Sequence, residues 1–281
     1  MSAYRFCRTD DIGLLVDALN RCWAPYFPDE PAMTPAAFKR SIRDLQVWCS
    51  SCMVAFQGSD PIGVLIGAKR PSGTLIHKIA VHPDHRRQGH GRHLLASLGS
   101  KLAILGPPRI IAEVPRALAD ACALFTACGF VQEAVVTDYV LEREGEATEM
   151  GQGGYVIPVT VDDLAANGLL EEGHQHVCWE RSVETLTARK DEIAGLAVAS
   201  DERIEAYLLH MVREPDREIV ALRSLVEDGG GRLTQLLSRL GTGTFWFPRV
   251  HPAEIAKETL DTLGFRRADG HLLFATKARS E

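Results

Sequence analysis

The stretch "VHPDHRRQGHGRHLLASL", residues 81 to 98, restricts what this chain can fold into more than any other. It follows an apolar run, "TLIHKIAV", and passes into an apolar-periodic run that reads as a helix. Within it lie three arginines, four histidines and the pair Gly89-x-Gly91. A turn alone needs far less. A strand, a cationic glycine-bearing loop and a helix start in succession make an anion site. Glycines let the backbone approach a ligand, arginines add charge, and a helix N-terminus offers N–H groups without internal partners.

The flanking pattern sets the fold class. A helix is expected from Asp10 to about Trp23, with Asp10 or Asp11 as cap and Ile12, Leu15, Val16 and Leu19 on one face. A loop holding Pro25, Pro28 and Pro31 follows, then a helix opened by Thr34-Pro35, where Thr34 can cap and Pro35 can take the first helical position. "CMVAFQG", "PIGVLIGAKR" and "TLIHKIAV" read as three strands separated by turn residues. Next come the helix "GRHLLASLGSKLAILG", the strand "RIIAEV", a helix from about Leu118 to Cys128 stopped by Gly129, and the strand "VTDYVLER". This order predicts an α/β chain with a mixed, mostly antiparallel sheet flanked by helices.

The second half repeats the order. "YVIPVT" precedes helical segments, "IAGLAVAS" and "RIEAYLLHMV" form a hairpin, and "REIVALRSLV" leads through Gly229-x-Gly231 into the helix "RLTQLLSRL". "GTFWFPRV" is a strand, "PAEIAKETLDTLGF" a helix, and "HLLFATKA" closes the chain. Both "VPRALADACALFTACGF" and "FPRVHPAEIAKETLDTLGF" run Pro-Arg, helix, Gly-Phe. The ordered matches predict a duplicated domain, residues 1 to 145 and 155 to 281, joined by the linker "EREGEATEMGQGG" at 142 to 154.

Charge separates the halves. Residues 1 to 145 carry 16 basic and 14 acidic side chains, whereas 146 to 281 carry 15 and 23. An acidic second half argues against nucleic acid and assigns any anionic ligand to the first. The seven cysteines, among them Cys49-x-x-Cys52, lie in apolar contexts and read as free thiols. His82-x-x-His85 and His174-x-His176 lack further ligands, so no metal is expected. The N-terminus has no apolar core for a signal peptide, and no run reaches the roughly 20 apolar residues of a membrane span. The expected location is the cytoplasm, with no membrane partner.

Two other phosphate loops fail here. A P-loop needs Lys-Ser/Thr after its last glycine, but Arg92-His93 follow Gly91, and a dinucleotide fingerprint needs a glycine where Leu94 stands. Arg86-Arg87-Gln88-Gly89-His90-Gly91 instead resembles the Arg/Gln-x-x-Gly-x-Gly/Ala signature of the GNAT acetyltransferases. "IAVHPDHR" resembles their fourth strand and its exit, and "LFTACGF" their closing helix. The resemblance covers the whole first half. It implies tandem GNAT-like domains and a first domain that takes acetyl-CoA as co-substrate.

By that resemblance, Arg86, Arg87, Gln88, Gly89, His90, Gly91 and Arg92 hold the pyrophosphate, and Ile79, Ala80 and Val81 line the pantetheine and thioester. Ala80 or Val81 supplies the oxyanion N–H. "IHKIAVH" resembles the arylalkylamine acetyltransferases, which makes His77 the candidate base, and Glu113 is a second candidate. Trp23, Tyr26 and Phe27 are candidates for the wall of an acceptor pocket or for plain core. The implied reaction transfers acetyl to a primary amine of a small molecule, in a monomer or homodimer.

Two departures bear on catalysis. Phe125 stands where many relatives carry a tyrosine that protonates the leaving thiolate, and Leu118 where an asparagine is frequent. They favour an alternative, a non-catalytic acyl-CoA-binding sensor or assembly module. In the second half, Glu227 and Asp228 precede Gly229-Gly230-Gly231 where the first half has Arg87 and Gln88. Carboxylates repel a pyrophosphate, so the second domain is expected to be a degenerate copy that binds no CoA.

Overall fold

The computed structural model describes residues 2–144, 155–170 and 177–278. The chain packs as two compact units, Met1–Glu133 with Leu272–Glu281, and Ala134–His271.

The first unit is a sheet of β1 (Ser2–Phe6), β2 (Met53–Gln57), β3 (Asp60–Arg70), β4 (Gly73–Val81), β5 (Arg109–Pro115) and the end of β12 (Arg266–Lys277), in that spatial order. Its helices are α1 (Ile12–Cys22), α2 (Pro35–Leu45), α3 (His90–Leu105) and α4 (Ala119–Ala127). Neighbours β1 to β4 pair antiparallel, and β4 with β5 parallel. The buried stripe of α3, Leu94, Leu95, Leu98 and Leu102, follows the helical period and packs on Met53, Ala55, Leu65 and Ile76 of the sheet. Thr34 caps α2 as expected, its Oγ1 accepting the Ala37 N–H at 3.1 Å. Asp11 stands at the cap position of α1 without capping it. Its carboxylate instead accepts the Arg8 N–H at 2.7 Å and pairs with Arg5 at 2.9 Å.

The strand β1 is absent from the sequence reading. "SAYRF" is short and mostly exposed at the sheet edge, and its alternation is confined to Tyr4 and Phe6 on either side of Arg5. The last strand of the unit comes from the far end of the chain. Phe274 of β12 is 3% exposed and stacks on Phe125 of α4, and the Ala278 N–H donates to Pro108 O at 2.6 Å.

The second unit contains β6 (Val131–Arg143, from Ala134 on), β7 (Tyr155–Val159), β8 (Ala194–Ala199), β9 (Ile204–Arg213), β10 (Asp216–Ser224) and β11 (Gly243–Val250). Their order is β6-β11-β10-β9-β8-β7, with α5 (Val161–Ala166), α6 (Val183–Ala188), α7 (Gly231–Arg239) and α8 (Lys257–Thr262). The helix read over "PAEIAKETLDTLGF" shrinks to Lys257–Thr262, because Pro252 starts a turn in which His251 Nδ1 accepts the Ala253 N–H. Most of the expected linker, residues 145 to 154, lies outside the described residues, as does His174-Gln175-His176. Its first residues do not loop: Glu142 and Arg143 continue β6 and pair with Thr244 and Gly243. Both units are therefore mixed, mostly antiparallel sheets flanked by helices.

No helix among the described residues is long and apolar enough to cross a membrane. No group of three or more His, Cys, Asp or Glu among them could hold a metal ion.

Candidate functional site

The loop from β4 to α3 has the geometry its sequence demands. After one 3-10 turn at Pro83–His85, Arg87 adopts φ 62° and Gly89 φ 87°. A left-handed arginine costs on the order of 1 kcal/mol, so the path is held by its surroundings. Gly89 caps α3 in the left-handed region and has no side chain to close the helix start. Those first-turn N–H groups and the helix dipole are left for an anion. At Gly91 a Cβ would come within 2.9 Å of Leu124 Cδ2, so this glycine lets α3 lie close on α4.

The cations of the loop are not equivalent. Arg86 and Arg87 both reach Asp120 in the first turn of α4, Arg87 at 3.9 Å. Gln88, Arg87 and Arg92 are exposed. Arg92 lies near Cys128, whose thiol is raised by burial and lowered in smaller part by that guanidinium. His90 is different. Its ring is 5% exposed, with Nδ1 2.6 Å from the Tyr4 hydroxyl, so only its backbone faces the loop. Burial, with His85 and His93 nearby, holds its pKa below the usual value.

The strands below the loop separate. The parallel β4–β5 ladder consists of Thr74↔Ile110 and Leu75↔Ile111, and no pair continues it toward Val81. In the β3–β4 ladder, His82 N donates to Ile62 O at 2.9 Å and Val81 sits opposite Gly63. Hydrogen-bonded and non-bonded pairs alternate along an antiparallel ladder. Ala80 therefore bonds back to β3, whereas the N–H and C=O of Ile79 and Val81 face the gap beside β5. Of the two oxyanion candidates, Val81 has its N–H on that side.

A β-bulge precedes this segment. Ile66 pairs with Lys78 and Gly67 with Ile76, leaving His77 as the extra residue of β4, half-buried. Such bulges re-aim a side chain. Glu113 is half-buried on β5, alternating with the core-facing Ala112 and Val114. Phe125 is 2% exposed, edge-on to Phe130 and stacked on Phe274, and offers no proton donor.

The loop between α1 and α2 lies over β4. Tyr26 Oη donates to Val81 O at 2.6 Å. Trp23 stacks on Phe27 with centroids 4.4 Å apart, and the Lys78 ammonium sits 3.9 Å above the Trp23 ring. Glu30 Oε2 takes the Trp23 indole N–H at 3.0 Å and lies 3.4 Å from Lys78 Nζ. The aromatics are thus half-buried clasps on β4. Sequence reasoning named Trp23, Tyr26 and Phe27 but missed Lys78 and Glu30. One overlooked signal is the Cys-Trp pair repeated at Cys22-Trp23 and Cys178-Trp179, after the first helical segment of each half.

The second unit carries the same irregularities in register. Its parallel pair β10–β11 consists of Arg217↔Phe245 and Glu218↔Trp246. A bulge falls two residues on, at Val220, between Ile219↔His210 and Ala221↔Leu209. In the first unit His77 stands two residues after the last pair, so Val220 is its counterpart. Gly230 caps α7 at φ 92°, as Gly89 caps α3. Here, however, Asp228 accepts the N–H of Gly230 at 3.0 Å and of Arg232 at 2.6 Å. The chain's own carboxylate fills this helix start.

Residues 14–130 match the family model described as the acetyltransferase (GNAT) family. No curated protein sequence matches the chain. Among solved structures, a tandem GNAT protein from the clavulanic acid biosynthesis pathway, without AcCoA, is 16% identical with TM-score 0.68, over 100% of both chains. A GCN5-related N-acetyltransferase from Sphaerobacter thermophilus is 12% identical with TM-score 0.68, over 99% of this chain and 96% of that one. Another, from Anabaena variabilis, is 11% identical with TM-score 0.66, over 99% and 73%. At such identities the likeness is one of fold. Residues 14–130 thus form a GNAT-family domain, and the chain has the fold of tandem GNAT proteins.

Proposed function

We propose that the chain is an acetyl-CoA-dependent N-acetyltransferase with one working site, in its N-terminal unit, acting on a primary amine of a small molecule. The observation that carries this is the contrast between two helix starts: α3 is left open above a strand gap, whereas α7 is closed by Asp228.

In this reading Arg86, Arg87, Gln88, Gly89, His90, Gly91 and Arg92 bind the pyrophosphate, His90 through its backbone. Arg86 and Arg87 exchange Asp120 for phosphate oxygens. Ile79 pairs with the pantetheine arm through its backbone groups, Ala80 holds the strand to β3, and the Val81 N–H receives the thioester oxygen. A preorganised donor of this kind is worth about 10²-fold or more in rate. Acetyl-CoA supplies a carbonyl activated by a good leaving group.

The amine attacks that carbonyl. The C–N bond forms, the C–S bond breaks, and the ammonium proton passes to His77 or, directly or through water, to Glu113. Phe125 supplies no proton, so the thiolate takes one from solvent. That loss favours a second reading, an acyl-CoA-binding module without turnover. The cap by Asp228 supports a second unit that binds no CoA, and Val220 in place of His77 gives that unit no base at the equivalent position.

Calorimetric titration with acetyl-CoA tests the first step. One equivalent, abolished by Gly89→Glu, is expected, together with CoA release in the presence of an amine panel. Binding without release from any amine selects the module, and no binding overturns both readings.

A further inference from the structure

We infer that Tyr26 is a positioning residue for acyl transfer: its hydroxyl fixes the Val81 peptide so that the Val81 N–H is presented in the gap between β4 and β5. This rests on the acetyl-transfer reading above.

The Val81 carbonyl has no ladder partner. Val81 O faces away from β3, because Val81↔Gly63 is a non-bonded pair, and the β4–β5 ladder has already ended at Leu75↔Ile111. A backbone oxygen left unpaired there would let its residue rotate toward any donor. The Tyr26 hydroxyl takes it at 2.6 Å, while the N–H of the same Val81–His82 peptide donates to Ile62 O at 2.9 Å. The peptide is pinned at both ends. In an extended residue the N–H and C=O point to the same side, so pinning Val81 O also sets the direction of Val81 N–H.

Tyr26 also touches the cofactor loop. The Arg86 guanidinium carbon lies 5.8 Å from its ring centroid. Burial raises its pKa, which keeps the phenol a donor at neutral pH. One side chain thus spans the strand end, the pyrophosphate loop and the segment between α1 and α2.

A plain clasp for that segment would be redundant. Asn20 and Met33 exchange hydrogen bonds at 2.9 and 2.7 Å, and Trp23, Glu30 and Lys78 hold the segment to β4. Removing one hydroxyl leaves those contacts, so Tyr26→Phe isolates the bond to Val81.

The test compares Tyr26→Phe with the wild-type chain in three measurements: kcat and KM with an amine, affinities for acetyl-CoA and CoA, and melting temperature. The expected result is a kcat lowered between about 10- and 100-fold, as for a slightly misplaced reacting group. The melting temperature and the affinity for CoA stay nearly constant, KM for acetyl-CoA rises slightly, and the preference for acetyl-CoA over CoA shrinks accordingly. An unchanged kcat, or a loss of kcat matched by a fall in melting temperature, overturns the inference. If the wild type binds acetyl-CoA but transfers nothing, the acyl-transfer reading fails on its own. The ligand preference of Tyr26→Phe then decides, because a positioned N–H still distinguishes a thioester from a thiol. A wild type that prefers neither ligand overturns the inference as well.

Discussion

Asp228 Oδ2 accepts the backbone N–H of Arg232 at 2.6 Å while its Oδ1 accepts that of Gly230 at 3.0 Å. Two N–H groups at the start of α7 are thereby satisfied from within the chain, at the place where α3 has no side-chain cap. An incoming pyrophosphate would have to displace a tethered carboxylate and then lie beside it. The N-terminal loop presents arginines instead.

One acetyl-CoA per chain is therefore expected, and Asp228→Ala leaves that number unchanged. The substitution removes a cap, which costs about 1 kcal/mol. Thermal melting and calorimetry of the same variant check both statements. A second equivalent in Asp228→Ala would mean that the cap alone had excluded the ligand.

Phe274 is buried against Phe125 although 149 positions separate them in sequence. Phe274→Ala is expected to destabilise the chain by about 3–5 kcal/mol through cavity formation. Residues 1 to 145 expressed alone lack this strand, leaving Phe125 and Phe130 uncovered. Such a fragment is expected to show no cooperative melting and no acetyl-CoA binding. A fragment that melts cooperatively and binds the ligand would show that β12 is dispensable.

That same contact marks where the sequence stops being readable. The strand-loop-helix around Gly89 was legible because each part is local: an apolar run, glycines where φ is positive, and a helical period in Leu94, Leu95, Leu98 and Leu102. Thr34-Pro35 was legible for the same reason. The partner of a strand is not local. Nothing in "HLLFATKA" says whether it completes its own half or the other, and the reading assumed contiguous halves. Lys78 and Glu30 were missed because an ammonium over an indole is made by tertiary packing, with no spacing to betray it. The bulges at His77 and Val220 were equally hidden, since register shows only once β3 and β4, or β9 and β10, are paired.

The histidine under the loop gives the chain an acid-side liability. The pKa of His90 in the folded state lies below its ordinary value of 6.5, chiefly through burial, with His85 and His93 adding to it. Above that ordinary value both states hold it neutral and it contributes no pH dependence. As pH falls through 6.5 toward the lowered value, the unfolded state binds the proton first, and stability drops. Wild-type melting temperature is expected to fall more steeply between pH 7 and 5 than that of His90→Gln. His210, also lowered by burial, titrates in both chains and cancels from the difference. Parallel curves would show that His90 does not couple to folding.

His77 and Val220 occupy the same bulge in two sheets, which makes a comparison within one molecule possible. A structural role for the bulge needs only a residue that fits, and Val220 shows that an apolar one does. His77→Val is therefore expected to fold, with acetyl-CoA affinity and melting temperature near wild type. If the imidazole takes the amine proton, turnover near pH 7 falls by about 10²-fold. A base of this type works only while neutral, so the wild-type rate should decline on the acid side. The variant should lack that limb, its residual rate following only the fraction of deprotonated amine. Equal rates for both chains from pH 6 to 9 would remove His77 from the chemistry and leave Glu113 or water as the base. A variant that loses acetyl-CoA binding together with turnover would instead assign His77 to the shape of the gap.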